Sequence, residues 1–258
     1  MKVCVLASGS GGNAIFVGSG SGEGAILIDA GLDYAQVRRQ LGELGLWPCR
    51  ILAIFLTHEH GDHCSFASEL AGMFGCPIYG TAGTLRALRL SWYLSGGEEL
   101  RPVELGEEVQ LGELRVRSFP VFHDAVEPCG YLVSDGRGNL GVATDLGVVS
   151  PAVLESLLEC EVVILEANHD LGMLLTGPYP WELKQRIRSE VGHLSNDAAG
   201  EALAELARRG RLKVALLAHL SQHNNRPELA LQTVERYLNG RAELLLTWQD
   251  RPSPVVEL

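Results

Sequence analysis

The imidazoles of His58, His60 and His63 and the carboxylate of Asp62 fall within six consecutive positions of the stretch Thr57-His58-Glu59-His60-Gly61-Asp62-His63. Neutral imidazole with carboxylate is the ligand set of zinc and its neighbours. In extended chain His58 and His60 point the same way. Asp62 and His63, on a turn and a first helical turn, can aim at a second point nearby. One segment can thus supply half the ligands of two adjacent metal ions. A plain helix cap, with Asp62 as the N-cap and the histidines solvated, gives no reason for three histidines to crowd together.

The elements around this cluster must hold it still. The run Ile51-Leu52-Ala53-Ile54-Phe55-Leu56 is short, continuous and apolar, which predicts a buried strand. Asp62 to Phe74 reads as a helix. The cluster therefore sits where a strand ends and a helix begins, the place where open α/β sheets hold ligands. Three further polar residues end apolar runs: His123 after Pro120-Val121-Phe122, Asp145 after Gly141-Val142-Ala143-Thr144, and His219 after Ala215-Leu216-Leu217-Ala218. Each alone is more often a satisfied structural residue. Together they would project from one sheet edge. Asp29, ending Ala25-Ile26-Leu27-Ile28, is placed either to orient a ligating histidine or to cap the next helix.

The pattern predicts strands at Val3–Ala7 and Ala14–Val17 around the turn Ser8-Gly9-Ser10-Gly11-Gly12-Asn13, read as a plain hairpin turn because no nucleotide-binding signature follows. Asp33–Leu44 is amphipathic. A strand follows at Pro77-Ile78-Tyr79, then a helix over Thr84–Leu94 and a β-meander over Val103–Val142. A helix Pro151–Leu158, a strand Val162–Leu165, two or three helices within Pro180–Arg209, a strand Val214–Ala218, a helix Pro227–Leu238 and closing strands from Ala242 complete the chain. Two similar halves without a linker predict one α/β domain over residues 1–258, an αββα sandwich of two sheets with helices outside.

The 258 residues, 46% of them hydrophobic, can build a sizeable core. A net charge of −11 argues against a protein that coats nucleic acid by bulk attraction. It leaves room for a nuclease with a local positive field. The six dispersed cysteines include no CxxC pair and read as free thiols in a reducing cytoplasm. Cys64 beside His63 reads as packing. No run is long enough to span a membrane.

With these residues in place the chain resembles the metallo-β-lactamase fold superfamily, marked by His-x-His-x-Asp-His followed by separate His, Asp and His. The resemblance covers essentially the whole chain. It implies one metal held by His58, His60 and His123, a second by Asp62, His63 and His219, and Asp145 bridging both. Zinc suits the imidazole-rich set, and manganese is admitted by the carboxylates. Within the superfamily the chain is most similar to the WalJ/VicX (YycJ) group, through Ser8–Ala14, His123-Asp124-Ala125, Pro128-Cys129-Gly130-Tyr131, Glu166–Asp170, Gly192–Asn196 and His219-Leu220-Ser221. That similarity implies a DNA exonuclease acting from 5′ ends in repair. Antibiotic hydrolysis is a poor fit, because true β-lactamases generally lack this pairing of the cluster Asp with a terminal His.

Glu166 with Gly192-His193-x-Ser195 is also similar to the pattern of the transfer-RNA 3′-end processing nucleases, though their long inserted arm is missing. The similarity implies that Glu166 orients His193 to contact phosphate or protonate the leaving oxygen. Independently, His193 is expected to open a helix whose amides attract phosphate, and imidazole is a general acid near neutral pH. The catalytic candidates are Asp62, His193 and Glu166. Asp62 serves to orient the attacking water as well as to ligate. Lys184, Arg186, Arg188, Arg208, Arg209, Arg211 and Lys213 could mark a phosphate track or simply a solvated face. His169 and His223 are read as locally hydrogen-bonded. Two other functions stay open: a small-molecule phosphodiester or thioester hydrolase, and a metal-binding regulator without turnover.

Overall fold

A computed structural model describes all 258 residues. The first half builds a seven-stranded sheet from β1 (Lys2–Ala7), β2 (Ala14–Gly18), β3 (Ala25–Ile28), β4 (Ile51–Phe55), β5 (Ile78–Thr81) and β6 (Leu100–Val103). The second half builds another from β7 (Glu108–Leu111), β8 (Leu114–Pro120), β9 (Cys129–Ser134), β10 (Asn139–Ala143), β11 (Val162–Glu166), β12 (Val214–Ala218) and β13 (Glu243–Leu246). The terminal strand β14 (Val256–Glu257) returns to pair antiparallel with β1 and completes the first sheet.

The continuous apolar runs follow from burial of both sheet faces. Along β1, Val3 and Val5 enter the layer between the sheets, while Cys4 and Leu6 face the outer helices. In β4, Ala53 and Phe55 point inward and Ile54 outward. Tyr131 of β9 and Val142 of β10 answer from the second sheet, and its outer face, with Leu165 and Leu217, packs under helices. The result is the αββα sandwich. Outside the first sheet lie α1 (Tyr34–Glu43), α2 (Gly61–Cys64), α3 (Ala67–Phe74) and α4 (Ala82–Arg89). After β10 come α5 (Pro151–Leu157), α6 (Leu171–Thr176), α7 (Trp181–Ile187), α8 (Asn196–Arg209) and α9 (Pro227–Leu238). No helix is long and apolar enough to cross a membrane.

Pairing directions set the functional edge. Strands β3 to β6 run parallel. In the second sheet β8 and β10 are both antiparallel to β9, and β10 to β13 run parallel. The residues that follow β3, β4, β8, β10 and β12 therefore meet along one rim.

Several local expectations need correction. The helix expected over Asp62–Phe74 breaks at Ser65-Phe66, because the Phe66 amide donates to the Ala30 carbonyl (2.9 Å) and His63 accepts from the Ala30 amide (2.7 Å). Those bonds dock the segment on the end of β3. The helix expected over Thr84–Leu94 starts at Ala82, capped by Thr81, and stops at Arg89. Val103 belongs to the parallel edge of the first sheet, so the meander spans only β7 to β10. Helix α6 was not anticipated. Asp33, not Asp29, caps α1, through a reciprocal box with Gln36.

Candidate active site

Seven side chains from four segments, those following β4, β8, β10 and β12, converge at the rim. Ligand atoms of His58, His60 and His123 lie within 4.8 Å of one another, as do those of Asp62, His63 and His219. The groups interlock through Asp145. Its Oδ2 stands 3.1 Å from His63 Nε2, and its Oδ1 stands 3.6 Å from His219 Nε2 and 4.0 Å from His123 Nε2. Asp145, Glu166, His193 and His219 form a further group on the same 4.8 Å scale. The structure thus brings together every residue singled out as ligand or catalyst in the sequence.

The ring orientations are fixed from behind. His63 Nδ1 faces Asp29 Oδ2 at 2.7 Å, and Asp29 also accepts from the Thr57 amide (2.8 Å) and hydroxyl (2.9 Å). With its own proton on Asp29, the Thr57 hydroxyl accepts from His58 Nδ1 at 3.0 Å. His123 Nδ1 donates to the Gly192 carbonyl (3.1 Å), and His219 Nδ1 to Glu166 Oε1 (3.1 Å). Four rings therefore commit their outer nitrogens to fixed acceptors and turn Nε2 inward, the arrangement that orients metal-ligating histidines. Replacing Asp29 by Ala is expected to lower divalent-metal affinity about 10- to 100-fold. Competition with a chromogenic chelator measures it, and unchanged affinity would rule out this supporting role.

Charge tests whether cations suit the cage. His63 Nε2 faces both Asp145 Oδ2 and, at 3.5 Å, Asp62 Oδ2. A bare nitrogen lone pair against two carboxylates is repulsive, so that position demands a proton or a metal ion. Asp145 Oδ2 is buried and has no hydrogen-bond donor. Burial opposes charging of His219, yet Asp145, Asp62 and Glu166 raise its pKa to about 10. For His63, Asp145 and Asp29 likewise overcome burial and push the ring well above the ordinary histidine range. Burial drives His58 the other way, well below it. A buried mixture of anions and inward nitrogens calling for positive charge fits divalent ions.

Three of the four non-glycine residues with positive φ are Asp29 (65°), Asp145 (54°) and His219 (55°). Each follows directly, or after one residue, on a strand. The left-handed turn swings the side chain off the sheet plane into the rim, at a backbone cost that surrounding contacts must offset. The His219 amide donates to Ser8 Oγ (2.8 Å), and the Asn168 amide group donates to the His219 carbonyl (2.9 Å).

The hairpin turn Ser8–Asn13 contributes more than a reversal. Asn13, 4% exposed, directs Nδ2 to His63 Nε2 (3.0 Å) and Asp62 Oδ2 (3.3 Å). Its backbone amide donates to the Asp62 carbonyl (2.8 Å) and its carbonyl accepts from Gly31 (2.9 Å). A Cβ on Gly31 would lie 2.0 Å from the Asp62 carbonyl oxygen. Gly31→Ala should therefore lower stability by about 1–3 kcal/mol, the usual cost of overpacking, and thermal melting reads it. In the sequence only the three glycines and the single asparagine of the turn hint at this contact.

Glu166 is fully buried at the end of β11. Its Oε2 accepts from the Leu146 and Leu194 amides (3.0 and 3.1 Å), and its Oε1 faces His193 Nδ1 at 2.7 Å. Burial acts to raise the Glu166 pKa, but His193 and His219 bring it to about 2. His193 does not open a helix: α8 begins at Asn196 with Ser195 as its cap. The Glu166 bonds hold residues 193–194 in the loop before it. The cationic run also divides. Lys184 is buried, donating to the Leu175 and Gly177 carbonyls (2.8 and 2.7 Å). Arg208, Arg209, Arg211 and Lys213 pair with Glu205, Glu155 and Glu161. They cluster around the start of β12, the strand end opposite His219, and cannot track a strand into the site. His169 is buried, but its Nδ1 has no partner, and the His223 ring packs edge-on to Tyr179 rather than hydrogen bonding. Cys64 donates to the Glu59 and His60 carbonyls, a packing role.

Comparison with known proteins agrees with this geometry. A family model for the beta-lactamase superfamily domain matches residues 25–220. Exodeoxyribonuclease WalJ of Streptococcus pneumoniae is 36% identical over 239 residues, covering 92% of this chain and 88% of the relative. Exodeoxyribonuclease YycJ of Bacillus anthracis is 35% identical over 240 residues, covering 92% and 89%. The solved structure of the metallo-beta-lactamase fold protein YhfI from Bacillus subtilis superposes with a TM-score of 0.74 over 99% of both chains at 18% identity, a likeness of fold.

Proposed function

The chain belongs to the beta-lactamase superfamily, and we propose that within it this protein is a metal-dependent exodeoxyribonuclease that removes nucleotides from 5′ ends. The observation that carries DNA as substrate is the nearly whole-length identity with two exodeoxyribonucleases. The Glu166–His193 pair beside the cage supports phosphodiester chemistry over thioester chemistry. A reducing cytoplasm is the compartment we assign, on six unlinked thiols.

In this reading His58, His60 and His123 would hold one divalent ion and Asp62, His63 and His219 a second, with Asp145, close to rings of both groups, serving both. Zinc matches the imidazole-rich set and manganese remains compatible with the carboxylates. Ions held there would supply a hydrolytic nucleophile from water at neutral pH and would offset charge growing on the phosphoryl oxygens. Asp62, partly open to solvent and 3.4 Å from His219 Nε2, both ligates and accepts a hydrogen bond from the attacking water. His193 carries its Nδ1 proton toward Glu166, leaving Nε2 to deliver a proton to the leaving oxygen. Glu166 keeps that ring oriented and favours its charged form.

Incubating zinc- or manganese-loaded protein with 5′-labelled DNA and with bis(p-nitrophenyl) phosphate tests the reading. Metal-dependent release of labelled mononucleotide is expected. Cleavage of the small ester alone would point to a small-molecule phosphodiesterase, and cleavage of neither to a non-catalytic metal protein.

A further inference from the structure

A cavity of about 210 Å³ opens directly beside His193 and His219. Two wall residues outside the cage face substrate with chemistry of their own. Tyr179, in the loop between α6 and α7, presents an aromatic ring, with the His223 ring packed edge-on 5.8 Å away. Arg186 projects from α7 with 59% of its side chain exposed.

Arg186 is held in a defined pose. Its Nε–H donates to Asp124 Oδ2 at 2.6 Å, and its Nη2 pairs with the same oxygen. A guanidinium has five N–H donors. The Asp124 grip engages two of them and leaves three, enough for a fork onto phosphate. Asp124 directly follows His123, so the guanidinium is fixed relative to the cage. Lys184, two residues earlier, anchors the α6–α7 connection through carbonyls of Leu175 and Gly177. That connection carries Tyr179 and is therefore braced against the same helix as Arg186.

We propose that Tyr179 and Arg186 form a clamp for the nucleotide on the leaving side of the scissile bond. Tyr179 stacks on its base, and Arg186 binds a phosphate oxygen of that residue. The side follows from His193: the group that protonates the leaving oxygen lines the same cavity, so the departing nucleotide lies there. An aromatic face accepts any base, whereas a cation on a protein of net charge −11 supplies local attraction that the overall charge denies. The clamp rests on the nuclease reading and adds to it the residues that select a nucleotide over a bare phosphodiester.

Steady-state cleavage of a single-stranded oligothymidylate, and of the same strand with an abasic terminal residue, tests the clamp. Tyr179→Leu should raise KM about tenfold on the first substrate, with little of that penalty on the abasic strand, and Tyr179→Phe should restore most of the loss. Arg186→Gln should raise KM on both strands and reduce the slope of log KM against log salt by about 0.7, one phosphate contact on single-stranded DNA. A wild-type protein that leaves oligonucleotides uncut sinks the nuclease reading itself. Wild-type cleavage combined with equal Tyr179→Leu penalties on the two strands and an unaltered salt slope in Arg186→Gln overturns the clamp alone.

Discussion

Replacing Asp145 by Ala should strip the protein of bound divalent metal and abolish hydrolysis. No other carboxylate approaches so many rings: Asp145 lies within 4.0 Å of nitrogens on His63, His123, His193 and His219. It is 3% exposed, and water cannot substitute for its charge. Asp145 is therefore itself held well below the usual carboxylate range: burial alone would raise it, but His219 and His63 outweigh that effect. Losing it removes the charge common to both ligand groups and leaves four rings facing one another. The expected result is at least about a 10³-fold loss of turnover, more than removal of a single charge-stabilising donor causes, with metal content near zero by elemental analysis. A conservative Asp145→Asn should behave almost as badly, because the amide keeps the shape and loses the charge. Full occupancy of two metals in Asp145→Ala would rule out the bridging role.

How much of this could be read beforehand depends on the range of the interactions. The strands were legible because both faces of both sheets are buried, so Ile51–Leu56 and Val162–Leu165 read as unbroken apolar runs. His123, Asp145 and His219 stood out because a polar residue ending such a run has to lie at the sheet rim. What holds them there was not legible. The Thr57 hydroxyl linking Asp29 to His58, and Asn13 reaching Asp62, depend on segments joined only by tertiary packing. The break at Ser65-Phe66 follows from the same kind of contact, since nothing in the residues of α2 and α3 announces a bond to Ala30. Charge was the least legible feature. Lys184 and Arg186 look alike in the chain, yet one is buried as a strut for carbonyls and the other faces the cavity.

The Glu166–His193 pair carries the second large effect. His193→Ala should retain metal yet lower kcat by about 10²- to 10⁴-fold, the range for a lost general acid. The ring lies outside the two proposed ligand triads, and metal loss in this variant would place it among the ligands instead. Glu166→Gln gives a finer test through pH. Burial pulls the His193 pKa down, but the Glu166 carboxylate outweighs it and leaves the ring above its ordinary value. A general acid works while protonated, so activity falls as pH rises through that raised pKa. Removing the Glu166 charge lowers the pKa and brings the loss to lower pH. The alkaline limb of the kcat profile, measured at saturating metal because Glu166 also supports the His219 ring, should thus shift toward acid in Glu166→Gln. If the limb stays put, or moves alkaline, His193 is not the proton donor that Glu166 sustains. In His193→Ala that limb should vanish altogether, because the titrating ring is gone. A substrate with p-nitrophenolate as its leaving group needs no proton at neutral pH, so both variants should recover most of their rate on it. That recovery separates proton delivery from phosphate binding, which the good leaving group would leave as impaired as before.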